Sequence, residues 1–540
     1  MPFTNPIIPG FHPDPSICRV GDDYYLVTSS FEYVPGVPIF HSRDLVHWRQ
    51  IGYCLTRPEQ LPLPSEAPSL GIFAPTIRYH NGIFYMVTTN MDVLERRGGR
   101  ANFYVTASDP AGPWSDPIWL EQDGIDPSLF FDDDGRVYLT STYAAGGRRD
   151  LEGSDPGWGI QQSEIDIATG KLLTEPHLIW KGTGGAYPEG PHLYKISGRY
   201  YLMIAEGGTS YGHMETIARG PSPWGPWEAC PHNPILSHRS LWRPIQATGH
   251  ADLVQAQDGT WWLVCLGVRP QPSLALHHLG RETFLAPVVW DTNGWPHVGD
   301  EGRIRTTMEP EPQLPAAPWP PSPARDDFDH TRLDLPWNFL RWPPAGSWSL
   351  TARPGFLRLM GNAATLDNGK DLAFVGRRQE HIQCQAATRL EFAPQLDGHE
   401  AGLAVWMNRH HHYEIALTRL AGETWIIVRR RIGSLAAVVA RERVEAGPVT
   451  LLVRAEQEPD LLSQSPSLYI FSYALADGHV RELARGEARY LATEVAGGFT
   501  GVYFSLYATT NGEAGVACAD FDWFEYQPRP TPQSRPAAAP

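Results

Sequence analysis

Over the first 310 residues, a short aromatic and aliphatic run returns five times, each directly after a polar turn. The copies are Asp23-Tyr24-Tyr25-Leu26-Val27, Ile83-Phe84-Tyr85-Met86-Val87, Arg136-Val137-Tyr138-Leu139-Thr140, Arg199-Tyr200-Tyr201-Leu202-Met203 and Thr260-Trp261-Trp262-Leu263-Val264. With Tyr25, Tyr85, Tyr138, Tyr201 and Trp262 taken as equivalent, the spacings are 60, 53, 63 and 61 residues. Gly21-Asp22, Asn81-Gly82, Asp134-Gly135, Ser197-Gly198 and Asp258-Gly259 precede them, and a turn feeding a β-rich run is a hairpin signal. Five such units predict a five-bladed β-propeller, because a lone small sheet cannot bury both faces and radial stacking does so. Asp44-Leu45-Val46-His47-Trp48, Gly112-Pro113-Trp114 and Gly225-Pro226-Trp227 read as outer turns or strands. A parallel α/β fold needs amphipathic crossover helices of about 10 to 15 residues, and the pattern holds none.

The pattern changes after Glu311-Pro-Gln-Leu-Pro-Ala-Ala-Pro-Trp-Pro-Pro-Ser-Pro-Ala324, a stiff Pro-rich linker. Strands are expected at 356–359, 403–406, 412–417, 424–428, 468–473 and 502–507. Regular short strands over about 200 residues argue for a β-sandwich. The reading is therefore all-β, with a five-bladed propeller over 1–310, a linker over 311–324, a sandwich over 325–527 and a disordered Pro/Ala-rich tail over 528–540.

Composition narrows the function classes. Lys plus Arg number 44 against 60 Asp plus Glu, a net charge of -16. That charge excludes a long electrostatic footprint on nucleic acid or anionic lipid. The absence of an 18-residue apolar run argues against a membrane span. No basic segment followed by an apolar one opens the chain, so a cytoplasmic location is expected, or a secreted one if a leader was removed. Six scattered cysteines with no C-x-x-C pair indicate neither a disulfide framework nor a structural zinc site. Aromatics make up 11% of the chain, and they serve β-rich cores as well as the C–H faces of sugars.

The candidate chemistry lies at one recurring place. Asp14 precedes its repeat aromatic by 11 residues, and Asp126, Glu189 and His250 precede theirs by 12; in the second unit Ala74 takes the position, 11 residues ahead. The innermost strands of a propeller line its axis, so a shared register directs these side chains into one central pocket. Asp14 and Asp126 both stand in Asp-Pro-Ser, and Glu189 stands in Tyr-Pro-Glu-Gly-Pro. Asp-Pro alone is an ordinary turn initiator, as read at Asp109-Pro110 and Asp155-Pro156; the common register sets Asp14, Asp126 and Glu189 apart.

Three convergent carboxyl groups suit glycosidic bond cleavage. One takes a proton from water, a second donates one to the leaving oxygen, and a third raises the acid's pKa by like-charge repulsion. Glu has the longer reach and the higher reference pKa, which makes Glu189 the acid, Asp14 the base and Asp126 the tuning group. Clustered carboxylates also suit calcium, but the dense Asp/Asn ligand loop of an EF-hand is missing, and Asp132-Asp133-Asp134-Gly135 reads as a charged hairpin turn.

These residues resemble glycoside hydrolase family 43, in its β-xylosidase and α-L-arabinofuranosidase branch with a C-terminal β-sandwich. The resemblance runs to about residue 527. It rests on Asn5-Pro-Ile-Ile-Pro-Gly-Phe-His-Pro-Asp-Pro-Ser16, Gly124-Ile-Asp-Pro-Ser128, Tyr187-Pro-Glu-Gly-Pro191, Ala205-Glu-Gly-Gly-Thr209, Thr248-Gly-His-Ala-Asp252 and Gly280-Arg-Glu-Thr-Phe284. It implies a five-bladed propeller and an inverting mechanism, with Asp14 as base, Asp126 as modulator and Glu189 as acid. It implies further that Arg281 holds sugar hydroxyls and the carboxylates, and that His250 sits near the axis, where some relatives place a calcium. No cofactor is required on this reading, and a structural calcium near the axis is its one metal option. Phe31, Phe73 and Thr209 are candidate subsite residues, Phe73 standing where many relatives carry Trp. Tyr503 or Phe504 is the candidate for an aromatic supplied by the sandwich. Read from residue type alone, Arg281 is equally a surface arginine before a strand, and His250 a core histidine.

The expected activity is exo-acting release of terminal α-L-arabinofuranose, β-D-xylose or both from hemicellulose oligosaccharides. A strict β-1,4-xylosidase is the narrower alternative, and a non-catalytic carbohydrate-binding protein the alternative of a different class. Pentose-containing oligosaccharides are the expected partners, and the sandwich's sheet faces are candidate surface for a homo-oligomer.

Overall fold

The computed structural model describes residues 2–143, 157–271, 275–457 and 467–529. The Asp155-Pro156 turn, and the tail from 530 onward, lie outside the described residues. The chain forms two compact units, the first comprising Met1–Ser65, Leu70–Arg269 and Arg281–Trp319, the second Glu66–Ser69, Pro270–Gly280 and Pro320–Pro540.

The first unit holds five antiparallel sheets. Their innermost strands are Ser16–Val20, Thr76–His80, Ile125–Phe131, Glu189–Ile196 and Gln246–Gln255. Each of these packs against the next, and the last returns to the first, which makes the unit a five-bladed propeller. The repeated aromatics lie on the second strands: Asp23–Val27, Ile83–Thr89, Val137–Tyr143, Arg199–Glu206 and Trp261–Val268. The connecting turns use left-handed backbone, as at Asn81 (φ 49°) with Gly82 (φ 85°) and at Ser197 (φ 50°) with Gly198 (φ 78°). Paired positive φ values match the right-handed twist of the flanking strands.

The N-terminal segment closes the ring on the fifth blade. Phe3–Thr4 pairs with Thr307–Met308, Ile8 bridges Thr283, and the Asn5 amide both donates to the Leu285 carbonyl and accepts from its N–H, each at 2.9 Å. The start of the Pro-rich segment is held against the first blade. Ala317 N–H donates to Asp44, and Arg49 and His41 pack on the Trp319 ring. It is not a free spacer up to that point.

The second unit is a sandwich of an eight-stranded and a six-stranded antiparallel sheet. Their inner faces meet in one core that includes Leu403, Val405, Ile415, Val428, Leu451, Phe471, Phe504 and Phe521. The expected strands are present with shifted ends: Leu357–Gly361, Glu400–Asn408, His411–Leu420, Glu423–Ile432, Leu468–Ala474 and Tyr503–Thr509. Ala373–Arg378, Cys384–Phe392, Leu435–Arg443, Val449–Glu456, Val480–Glu487 and Ala517–Pro528 are further strands of these sheets that were not marked in the pattern.

The placement of Tyr503 and Phe504 corrects an expectation. Phe504 lies wholly inside the sandwich core, between Tyr469 and Tyr526. Tyr503, on the opposite face of its strand, is fully buried beside Arg378 and cross-strand from Trp406. Neither ring is available to a sugar. The exposed aromatic of this stretch is Phe499, in the loop ahead of the strand.

Candidate active site

A shared backbone device aims the residues of the common register. Asp14, Asp126 and His250 all adopt left-handed backbone, at φ 54°, 53° and 49°. Strand pairing slips between Ile125 and Ser128, between Glu189 and His192, and between Gly249 and Asp252. A bulge of this kind turns a side chain out of the pleat, and in a non-glycine residue it persists only where the surroundings enforce it. On the fourth blade the left-handed positions are Tyr187 (φ 54°) and Gly190 (φ 60°), which flank Glu189. Gly190 also needs to be glycine for space, since a Cβ there would lie 3.0 Å from the His250 ring.

Asp14, buried to 4% exposure, accepts from the Ser29 hydroxyl at 2.5 Å and from Arg281 Nη1 at 2.8 Å. The same Nη1 donates to Thr209 Oγ1 at 3.1 Å, and the guanidinium lies 5.6 Å from the centre of the Phe31 ring. Phe31 packs on Phe73 at 5.2 Å, and the two segments exchange backbone hydrogen bonds between Phe31 and Ile72. Gly71 permits that approach, because a Cβ there would meet the Phe31 carbonyl at 2.2 Å. Arg281, Thr209, Phe31 and Phe73 therefore form one connected wall that ends on Asp14. Phe73 is its half-buried member and Phe31 lies beneath the guanidinium.

His250 Nδ1 lies 3.9 Å from the same Asp14 oxygen. Burial pushes Asp126 up to about 6; His250, the Gly190 N–H and Arg281 pull it back, and the Asp14 charge adds to the rise. Glu189 is raised well above the carboxylate range, first by burial and then by the charges of Asp126 and Asp14. The arrangement keeps a proton on Glu189 while a carboxylate opposite it is held by a guanidinium and a hydroxyl.

Three further side chains shape this environment and were not singled out in the sequence. His213, fully buried with its pKa lowered to about 3 by desolvation, is neutral. Its Nδ1 donates to the Ala247 carbonyl at 3.2 Å, which leaves Nε2 as a lone pair 3.8 Å from Glu189 Oε1. Glu215, also fully buried and raised well above its usual value by desolvation, accepts from the Ala251 N–H behind His250. Glu206, part of the Ala-Glu-Gly-Gly-Thr motif, is spent on structure, accepting from Thr183, Gly185 and Thr216. Glu215 lies on the third strand of the fourth blade, Met214–Gly220, and His213 directly before it, both outside the repeated register.

The axis beneath does not suit calcium. The Asp252 carboxylate there already accepts from Ser16, Ile17, Arg78, Tyr194 and Leu253. Arg78 places a guanidinium where a cation would stand, and calcium requires six to eight oxygen ligands. A separate cluster able to hold a metal ion is present on outer strands and turns of blades four and five: His232, Asp291 and His297, with ligand atoms within 4.8 Å of one another. Its two imidazoles favour a transition metal over calcium.

The chain matches the family described as Glycosyl hydrolases family 43 over residues 3–296, and the Beta xylosidase C-terminal Concanavalin A-like domain over residues 325–527. The chain belongs to glycosyl hydrolase family 43. It is 44% identical to the non-reducing end alpha-L-arabinofuranosidase BoGH43B of Bacteroides ovatus, across 97% of this chain and 94% of that protein. It is 40% identical to a xylosidase/arabinosidase of Butyrivibrio fibrisolvens, across 96% and 98% of the two chains. Among solved structures it superposes on the Bacteroides ovatus Xyloglucan PUL GH43B with a TM-score of 0.90, at 44% identity, covering 98% of this chain and all of that one. This family 43 member is accordingly a glycoside hydrolase, and its propeller is the five-bladed fold of that family. No helix among the described residues is long and apolar enough to cross a membrane.

Proposed function

We propose that the enzyme is an exo-acting, inverting hydrolase that releases terminal α-L-arabinofuranose and β-D-xylose from hemicellulose oligosaccharides in one pocket. The observation that carries this reading is the electrostatic asymmetry of the carboxyl groups. Glu189 is desolvated and pressed by two like charges, whereas Asp14 faces the Arg281 guanidinium. A Glu189 held protonated can serve as the acid, and Asp14, held by a guanidinium and a hydroxyl, as the base. Glu189 protonates the leaving glycosidic oxygen. Asp14 takes a proton from water, which attacks the anomeric carbon from the opposite face. Asp126 holds the proton on Glu189 through its charge. In an inverting enzyme the acid and base stand about 6.5–9.5 Å apart, leaving room for that water. Arg281 and Thr209 offer donors and acceptors for sugar hydroxyls, and Phe73 offers an apolar face.

The dual preference is supported by the names of the relatives, one an arabinofuranosidase and one a xylosidase/arabinosidase. The chemistry as proposed uses only side chains, and the axial cation is Arg78. The test is to measure initial rates on 4-nitrophenyl α-L-arabinofuranoside and β-D-xyloside, each alone and in competition, with the product anomer followed by NMR. Both substrates are expected to turn over, to inhibit one another competitively and to give the inverted sugar first. Retained configuration would overturn the mechanism, and failure to compete would overturn the single pocket.

A pH effect follows from the charges. Asp126 heads the neighbouring charges that raise Glu189, so Asp126→Asn removes the largest of those upward pushes. The acid then loses its proton at lower pH. The alkaline limb of the kcat profile is expected to move down by about one pH unit, the size of shift that one nearby charge produces. An unmoved limb would remove Asp126 from the role of modulator.

A further inference from the structure

One layer below the carboxylates, four of the innermost strands meet on a single ion pair, and that of the third blade reaches it through His192. We infer that Arg78, with Asp252, is a positioning residue for Asp14 and Asp126, acting as an internal cation that fixes the left-handed backbone from which those carboxylates project. This rests on the reading of Asp14 and Asp126 given above.

The contacts run around the axis blade by blade. From the second blade, Arg78 Nη1 donates to Asp252 Oδ2 at 2.8 Å and to Ser16 Oγ at 3.2 Å. Ser16, two residues beyond Asp14 on the first blade, donates to Asp252 at 2.6 Å and accepts from the Ile77 N–H at 3.1 Å. Arg78 Nη2 donates to His192 Nδ1 of the fourth blade at 2.9 Å, and the hydroxyl of Ser128, two residues beyond Asp126 on the third, meets the same nitrogen at 3.1 Å. Tyr194 of the fourth blade donates to Asp252 Oδ1 at 2.6 Å. Asp252 itself lies two residues beyond His250 and is completely buried.

Each anchored residue thus stands just past a left-handed residue of the catalytic layer. A left-handed conformation is costly for a non-glycine residue and survives where neighbours over-determine it. The forked contacts of one guanidinium supply that constraint to the first blade directly, through Ser16, and to the third through His192. A lysine cannot reproduce the fork. Below the pair the axis opens into a cavity of about 340 Å³ lined by Arg78, Tyr79, Phe131, Tyr194 and Trp261, so Arg78 is also the floor of the catalytic layer. Burial and the neighbouring cation leave His192 neutral, with a pKa near 3, which keeps its Nδ1 an acceptor for Arg78.

The test compares Arg78→Lys with the charge-balanced double variant Arg78→Met/Asp252→Asn in the full chain. The double variant leaves no unpaired buried charge, and so guards against simple unfolding. In folded protein with a native circular dichroism spectrum, the double variant is expected to lose about 10- to 100-fold in kcat with KM little changed, because displacing the reacting groups by an ångström has that effect. Arg78→Lys is expected to recover only part of the loss. In the unaltered enzyme, added calcium is expected to shift neither melting temperature nor kcat. An undiminished kcat in the folded double variant would overturn the positioning role, and a melting temperature raised by calcium would overturn the internal cation. Asp14→Asn in the same assay separates the two levels. If it too retains full activity, the catalytic assignment itself has failed; if it is inactive, only the inference about Arg78 has.

Discussion

Glu189→Gln is expected to lower kcat on an unactivated xylo- or arabino-oligosaccharide by about 10²- to 10⁴-fold, the usual contribution of a positioned general acid. The substitution keeps the shape and the polar contacts of the side chain, so KM should change little. An interaction used only in the transition state is lost from kcat and from kcat/KM alike. The leaving group sharpens the test. A sugar alkoxide departs poorly without a proton, whereas 4-nitrophenolate departs readily. The loss should therefore be far smaller on 4-nitrophenyl glycosides than on oligosaccharides. The pH profile supplies the sign. Glu189 is active when protonated, and burial together with the Asp126 and Asp14 charges holds it protonated well above the usual carboxylate range. Activity is therefore full below that raised value and falls as pH rises through it. With glutamine in place nothing titrates there, and the alkaline limb should vanish. Equal losses on both kinds of substrate would refute the acid assignment.

The three carboxyl groups were legible because the repeat fixes their place. A residue counted back from each recurring aromatic falls on the same turn of each innermost strand, and the fold supplies the convergence. What the count cannot show is the bulge itself, since Asp-Pro-Ser reads equally as a plain turn. Nor does it reach residues that converge from other registers. Arg78 lies four residues beyond the catalytic position of the second blade, where Ala74 carries no chemistry, and looks like an ordinary arginine in Thr-Ile-Arg-Tyr-His. His213 arrives from the turn before a third strand and matters because of its approach to Glu189.

The sandwich shows the converse limit. Tyr503–Thr509 is a central strand buried on both faces, so its aromatics carry no alternation to say which side is core, and exposure cannot be read from them. The edge strand Leu435–Arg443 was missed for the opposite reason. Its Leu-Ala-Ala-Val-Val-Ala run lies almost wholly exposed, with no inward-outward alternation to mark it.

Asp14→Asn is the second large effect, also expected at about 10²- to 10⁴-fold in kcat. Its signature differs from that of Glu189→Gln. The base acts on water and not on the departing sugar, so the loss should be the same for 4-nitrophenyl glycosides and oligosaccharides. Asparagine keeps an oxygen for the Ser29 hydroxyl or Arg281, both of which contact Asp14 directly, so the wall of Arg281, Thr209 and Phe31 should hold and KM should stay close to its original value. The residual activity carries a further mark. The Asp14 charge raises Glu189 whereas Arg281 lowers it, and neutralising Asp14 removes the first influence while leaving the second. Glu189 then gives up its proton at lower pH, and the alkaline limb of what activity remains should move down. A rate loss confined to poor leaving groups, or an alkaline limb that moves up, would mean that Asp14 is not the base. A uniform loss with a downward shift would fix the division of labour between the first and fourth blades, because only a base whose charge reaches the acid predicts both.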